Sequence, residues 1–448
     1  MSRERYIEST QSVCRSRFRL IPADVIERDG CLYLRKRCPE HGLSECLHIY
    51  DFPQLYRAMR RIFCQEATRP VYPHELVAYI TSECNLKCPV CYANAGEGPS
   101  KELSGEDILR NIRKYKGRFV HFSGGEPTLR QDLFDLIAAV KKKKFCVGLF
   151  SNGLNLRHYD YVHKIKQAGV DLVILSFESL RDEHYLRLKG ARLLEAKMLA
   201  FENICKAGLH LYLFCSVAPG INEDEIPELI DFAKKHLASV DIMNFTPIWR
   251  IGRYNNFERI PASRIYRQFE KCGIHFSDML CCTEFSHLFF EILSKLLGQK
   301  WVRHPPCEQI VYFIKIGPQI CLITEIIDLP FLTERLRRIN RKITGRCVLA
   351  RWGLFVFGFP WLFFLREFFK RPELRRLAWL MARDLLSGLG IKRTIASRKL
   401  TVMTGQVHGL DDADFRFMKK CTLYAINENA QGFQSFCTRQ MHCEFARH

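Results

Sequence analysis

The chain has 448 residues, a formal net charge of +20, 20 cysteines and 33 phenylalanines. The length suggests two or three units, one large enough for a substantial core, and an apolar content of 47% excludes a disordered chain. The positive surplus favours an anionic partner (nucleic acid, membrane surface or acidic substrate) without choosing among them.

Residues 1–70 read as a small cysteine module. It holds Cys14, Cys31, Cys38, Cys46 and Cys64, with alternating stretches such as CLYLRKRC, and the proline-containing TRPVYPHE marks its end. The opening segment MSRERYIESTQSVCRSRFRL lacks an apolar core followed by a small-residue cleavage site. A reducing cytoplasm is therefore expected, where cysteines serve as metal ligands or core fillers.

Residues 71–255 change to a regular alternation. Apolar runs LVAYI, RFVHF, FCVGLF, DLVILSF, LYLFCSV and VDIMNF read as buried strands. Helix-like segments separate them, such as SGEDILRNIRKYK, LRQDLFDLIAAVKKKK and NEDEIPELIDFAKKH, the last with Asn222 as an N-cap. The alternation predicts parallel βαβ units with right-handed crossovers. Six repeats suit an α/β fold, a partial (βα)6 barrel with its site at the C-terminal strand ends. Cys146, Cys205 and Cys215 fall within strand or helix runs and are assigned to the core.

Residues 256–448 form a mixed extension carrying Cys281, Cys282, Cys307, Cys421, Cys437 and Cys443. It includes the aromatic segment WGLFVFGFPWLFFL, Trp352 to Leu365, which is shorter than a bilayer span. Gly358 and Pro360 interrupt any single helix there. The segment reads either as a buried helical hairpin or as an interfacial element with arginines on anionic head groups.

The chemistry concentrates after the first predicted strand. TSECNLKCPVCYANAG gives the spacing Cys84-x3-Cys88-x2-Cys91. Thiolates are the usual ligands of iron–sulfur clusters, and three of them on a four-iron cubane leave one iron open. A zinc knuckle or incidental cysteines are the alternatives. The second strand runs into Gly124-Gly125-Glu126-Pro127, where glycines allow close backbone approach to a ligand. Polar residues follow the next strands: Ser151 and Asn152, then Ser176 and Glu178, then Ser216. Each alone is equally an ordinary loop or cap residue.

Together these residues resemble the radical S-adenosylmethionine (SAM) superfamily, with its CxxxCxxC and GGEP motifs. The resemblance implies a [4Fe–4S] cluster on Cys84, Cys88 and Cys91, whose open iron is chelated by the amino and carboxylate groups of SAM. An electron then cleaves the sulfonium, and a 5′-deoxyadenosyl radical abstracts hydrogen from the substrate. It places Tyr92 near the adenine and assigns SAM contacts to Gly124, Gly125, Glu126, Pro127, Ser151, Asn152, Ser176, Glu178 and Ser216.

The ends of the chain resemble one branch, the tetraether-lipid-synthase-like proteins. There the amino-terminal module is rubredoxin-like or zinc-like, which implies ligands among Cys14, Cys38 and His41. The first pair reads Cys14-Arg-Ser-Arg17 in this sequence, so one ligand is missing unless Cys31 or Cys46 substitutes. The HPPC of His304–Cys307, with Cys421 and Cys437, resembles the branch's auxiliary iron–sulfur ligands; buried apolar cysteines are the alternative. The expected substrate is a lipid acyl or isoprenoid chain at a membrane surface, with carbon–carbon coupling or alkylation as the reaction. A flavodoxin or ferredoxin is the expected electron donor, and no nucleic acid partner is expected, since no RNA-binding motif is visible. Peptide or RNA modification, and a non-enzymatic electron-transfer protein, are the other readings.

Overall fold

The computed structural model describes residues 4–64, 75–96, 102–249, 251–253, 257–297, 307–344, 348–358, 361–386, 398–405, 411–418, 421, 423–426, 433–435 and 437. Strands β1 (Arg5–Val13), β2 (Leu20–Arg28), β3 (Cys31–Cys38) and β4 (Gly42–Leu47) form an antiparallel sheet in chain order. The alternation of CLYLRKRC turns Leu32 and Leu34 inward on β3. Helix α1 (Pro53–Phe63) follows and buries Leu55, Tyr56, Met59 and Phe63, a stripe at helical spacing.

The barrel is built from β5 (Glu75–Thr81), β6 (Phe119–Gly124), β7 (Cys146–Ser151), β8 (Leu172–Ser176), β9 (His210–Val217) and β10 (Val240–Pro247). Neighbours pair in parallel in that order. The connecting helices are α2 (Gly105–Lys114), α3 (Leu133–Lys142), α4 (Tyr159–Ala168), α5 (Asp182–Lys189), α6 (Leu194–Ala207) and α7 (Ile226–Lys235). Every strand read from the apolar runs is present. Ser104 caps α2, its side chain accepting from the Asp107 N–H at 3.1 Å. The Asn222 side chain makes no such cap. It is buried instead as a brace: Oδ1 accepts from Ala218 N–H, and Nδ2 donates to the carbonyls of Glu178 and Ser216 at 2.9 Å each.

The remainder contributes α8 (Ala262–Glu270), α9 (Phe276–Leu297), β11 (Glu308–Ile316), β12 (Gln319–Leu322), α10 (Ile323–Ile326), α11 (Leu329–Ile343), α12 (Val348–Gly358), α13 (Trp361–Lys370), α14 (Pro372–Leu386), β13 (Lys399–Gly405), α15 (Phe415–Met418), β14 (Leu423–Ile426) and β15 (Phe433–Ser435). These strands extend the barrel sheet at both edges. β13 lies parallel to β10 and pairs with β11, while β14 lies parallel to β5. The sheet reaches 11 strands, in the order β12-β11-β13-β10-β9-β8-β7-β6-β5-β14-β15.

The aromatic segment falls on α12 and the start of α13, and α14 follows it. Gly358 ends α12, and α13 starts at Trp361. A buried hairpin is not what forms, because Trp352, Leu354, Val356, Leu365, Phe369 and Trp379 are exposed. Among the described residues no helix is long and apolar enough to cross a membrane.

Candidate active site

The loop after β5 carries Cys84, Cys88 and Cys91, and three separate elements hold its backbone. Glu102 accepts from the Ser82 N–H at 2.9 Å. Arg253, beyond β10, donates from Nε to the Cys88 carbonyl at 3.1 Å and from Nη2 to the Ala95 carbonyl at 2.9 Å. Its backbone also pairs antiparallel with Cys91. From the other side, Gly125 N–H donates to Thr81 O at 2.8 Å and Glu126 N–H to Glu83 O at 2.7 Å. Gly124 has φ +126°, and a Cβ on Gly125 would stand 2.0 Å from the Glu83 carbonyl oxygen. In this structure the two glycines admit the cysteine loop itself.

The three cysteines are half-buried. Burial is the main force pushing the Cys84 thiol up to about 11, and the neighbouring thiolates and Glu126 push the same way. Burial also raises Cys88, opposed by the positive Lys189 and Lys197. Thiolates are the usual ligands of iron–sulfur clusters, and bound iron would stabilise thiolates that burial otherwise disfavours.

The polar strand ends form a connected shell around this loop. The Glu126 carboxylate is buried and accepts from Thr128 Oγ1 at 2.6 Å, Thr128 N–H at 3.2 Å, Ser151 Oγ at 2.9 Å and Asn152 N–H at 2.6 Å. Glu126 and Ser151 are thus engaged inside the protein. The Asn152 amide reaches back to the loop, donating to Asn85 Oδ1 at 2.7 Å and to the Cys84 sulfur at 3.9 Å. Tyr92 Oη and Ser123 Oγ are 2.9 Å apart, and the Tyr92 ring stands edge-on to Tyr79 and Trp249. Pro127 opens a short 3-10 turn and is buried. Ser216 is half-exposed near the end of β9.

Beyond β8 lies a buried charge cluster that no local motif announces. Glu178 is fully buried, with Lys189 Nζ at 2.8 Å on one oxygen and Lys197 Nζ at 4.0 Å from the other. Lys197 also donates to Ser176 O at 2.7 Å and to Ser176 Oγ at 2.8 Å. Burial holds the Lys197 ammonium down at about 8, while Glu178, Cys88 and Cys91 raise Lys189. Ser176 and Glu178 are therefore partners of lysines on α5 and α6.

The N-terminal module forms a second constellation. Cys14 Sγ and Cys38 Sγ are 3.6 Å apart, and His41 Nδ1 lies 3.5 Å from the first and 3.3 Å from the second. Hydrogen bonding from His41 leads in lowering the Cys38 thiol to about 6. Arg17 points to Glu40 at 3.0 Å. Neither Cys31 nor Cys46 belongs to the group; Cys46 donates to the Asp411 carbonyl at 2.9 Å. Two thiols and an imidazole match the donor preferences of zinc, with one tetrahedral position left over.

The late cysteines are buried or nearly so. Burial drives the Cys307 thiol well up, and Cys421 and Cys437 lie near enough to reinforce the shift. Cys421 donates to Leu423 O at 3.2 Å, and Cys437 packs with Val13, Ala413 and Met418. Cys282 is a core residue of α9, its thiol pushed up to about 12 by burial. Cys443 and His304 lie outside the described residues.

The cysteine loop stands at the first strand end of the parallel barrel strands, and residues 78–233, which include it, match the family model of the radical SAM superfamily. Residues 6–48 match the family model of the HMPTM N-terminal zinc ribbon domain, over the stretch that carries Cys14, Cys38 and His41. Among curated proteins, the chain is 32% identical over 274 residues to "7,8-dihydro-6-hydroxymethylpterin dimethyltransferase" of Methanocaldococcus jannaschii, covering 55% of this chain and 54% of that one. It is 34% identical over 184 residues to "Probable GTP 3′,8-cyclase" of Methanosarcina mazei, covering 38% and 54%. The chain thus spans about half the length of these relatives. Among solved structures, SuiB of Streptococcus suis bound to S-adenosylmethionine has a TM-score of 0.40 at 21% identity, covering 45% of this chain and 47% of that one.

Proposed function

We propose that this protein is a radical SAM enzyme with a [4Fe–4S] cluster on Cys84, Cys88 and Cys91. The observation that carries the proposal is the three-sided hold on that loop, which fixes the backbone bearing all three cysteines beyond the end of β5. When bound, the cluster supplies the electron that cleaves SAM into methionine and a 5′-deoxyadenosyl radical. The protein's own groups then bind and orient. Tyr92, tied to Ser123, takes the adenine side. Backbone carbonyls of Gly124 to Pro127 accept from the SAM ammonium, since the Glu126 carboxylate is already engaged. Lys189 and Lys197, held by Glu178 and Ser176, set a positive charge behind Cys88. Asn152 donates to the Cys84 sulfur, and Ser216 lines the ribose side. A flavodoxin or ferredoxin is the reductant in this reading.

The substrate we infer is a heterocycle with the 2-amino-4-oxopyrimidine ring that pterins and guanine share, from which the 5′-deoxyadenosyl radical takes a hydrogen atom and leaves as 5′-deoxyadenosine. The names of the two relatives support this. So does a cavity of about 270 Å³ lined by His48, Trp249, Glu258, Arg259, Asp411 and Asp412 among others, which abuts Tyr92 through Trp249. A lipid acyl or isoprenoid chain is the second reading; neither relative's name supports it, and the exposed aromatic helices favour it. Zinc on Cys14, Cys38 and His41, and an auxiliary cluster drawing on Cys307, Cys421 and Cys437, complete the proposal. Anaerobic incubation with SAM, dithionite and either a dihydropterin or a lipid mixture decides the substrate. The class that stimulates 5′-deoxyadenosine release is the substrate class, and stimulation by lipid alone would refute the heterocycle.

A further inference from the structure

We propose that α12, α13 and α14 form a docking surface for an anionic lipid bilayer, on which the protein sits peripherally. The proposal is independent of what the barrel catalyses. Among the described residues 12 large hydrophobic side chains are exposed, and six of them, from Trp352 to Trp379, fall on these three consecutive helices. Single exposed apolar residues are ordinary, whereas a concentration of them marks an interaction site. Phe369 is 70% exposed, Trp379 62% and Leu365 52%, so these are open side chains and not edges of the core. Leu365 and Phe369 are four residues apart, which puts them on one face of α13.

Basic groups accompany them. Residues 348–386 contain seven Arg or Lys against three acids. Arg366 and Lys370 are exposed on α13, and Arg375, Arg376 and Arg383 on α14. The Arg383 guanidinium lies 5.6 Å from the Trp379 ring centroid, so cation and aromatic share one face. Glu367 is neutralised by Arg366 and Arg371 at 3.0 and 2.8 Å. Aromatic and aliphatic side chains interleaved with arginine fit the head-group boundary of an anionic membrane.

Charge also selects the occupant. A second copy of this chain brings the same basic face and a net charge of +20, so self-association through these helices is opposed. With no helix long and apolar enough to cross among the described residues, the helices lie on the surface rather than span it. Leu354, Val356 and Leu365 suit hydrocarbon better than a nucleic-acid backbone.

The test is co-sedimentation of the full chain with mixed phosphatidylcholine–phosphatidylglycerol vesicles against pure phosphatidylcholine vesicles. The expected result is at least ~tenfold stronger partition onto the anionic vesicles, weakened at 1 M salt, where the Debye length falls to about 3 Å. The triple variant Leu365→Glu, Phe369→Glu, Trp379→Glu should lose ~tenfold in partition, and Leu199→Glu, an exposed leucine on α6, should not. Tryptophan quenching by brominated lipid, read on the unaltered protein, gives the same answer without a variant. Equal partition onto both vesicle types, or undiminished binding by the folded triple variant, overturns the proposal. So does a dimer that the triple variant abolishes while no vesicles bind, because the face would then be an interface between copies.

Discussion

Replacing Lys197 with Met separates the burial of a charge from its usefulness. Lys197 is fully buried and donates to Ser176 O and Oγ at 2.7 and 2.8 Å. Glu178 does not depend on it, because Lys189 keeps its 2.8 Å contact in the variant. The loss is two hydrogen bonds, about 1 kcal/mol each. The gain is relief from holding an ammonium whose folded pKa lies near 8 instead of 10.5, which at neutral pH is about 3 kcal/mol. The two nearly cancel, so the variant should match the parent at pH 7 to within about 1 kcal/mol. At high pH they should diverge. Above pH 10.5 the lysine is neutral in both states; as pH falls towards 8 the unfolded chain takes up the proton first and stability is lost. The parent should therefore gain stability between pH 8 and 10.5 relative to Lys197→Met. Urea unfolding of metal-free, reduced protein at pH 7 and pH 10 measures both differences. A loss well above about 1 kcal/mol at pH 7, or parallel curves at the two pH values, would refute the reasoning.

Other expectations follow from single contacts. Gly125→Ala puts a methyl group 2.0 Å from the Glu83 carbonyl oxygen, so the cysteine loop must shift, and iron bound after reconstitution should drop severalfold by colorimetric assay. Asn152→Ala removes the donor to the Cys84 sulfur. Because hydrogen bonds to cluster sulfurs raise the potential, a redox titration followed by electron paramagnetic resonance should find a lower midpoint potential. Cys38→Ser breaks the Cys14–Cys38–His41 group, so zinc measured by mass spectrometry should fall ~10-fold or more while the barrel keeps its iron.

Much of the barrel was legible because buried parallel strands read as apolar runs, and the cysteine loop stood out because its three cysteines sit within one short segment. The edge strands were not legible. LTVMT of β13 and LYAI of β14 are short runs inside a stretch with no βα rhythm, and their pairing with β10 and β5 is a long-range property. The charge cluster was equally hidden: Lys189 and Lys197 lie on different helices, and only the fold turns both towards Glu178. Arg253 carried no signal, since an arginine after a strand is common and its grip on Cys88 and Ala95 spans the barrel. The expectations for Glu126 and Ser151 rested on strand-end position, which cannot tell a ligand contact from the mutual hydrogen bond these two make. CPEHG did point to Cys38 and His41, and folding of β1 against β3 through β2 brings Cys14 to them.

The central claim is that Cys84, Cys88 and Cys91 hold the cluster that cleaves SAM. It is tested most directly by anaerobic reconstitution of the parent and of Cys84→Ala/Cys88→Ala/Cys91→Ala, each given SAM and dithionite. Chromatography of the products should find 5′-deoxyadenosine from the parent and none above background from the variant. Release of 5′-deoxyadenosine by the variant at the parent's rate would contradict the account.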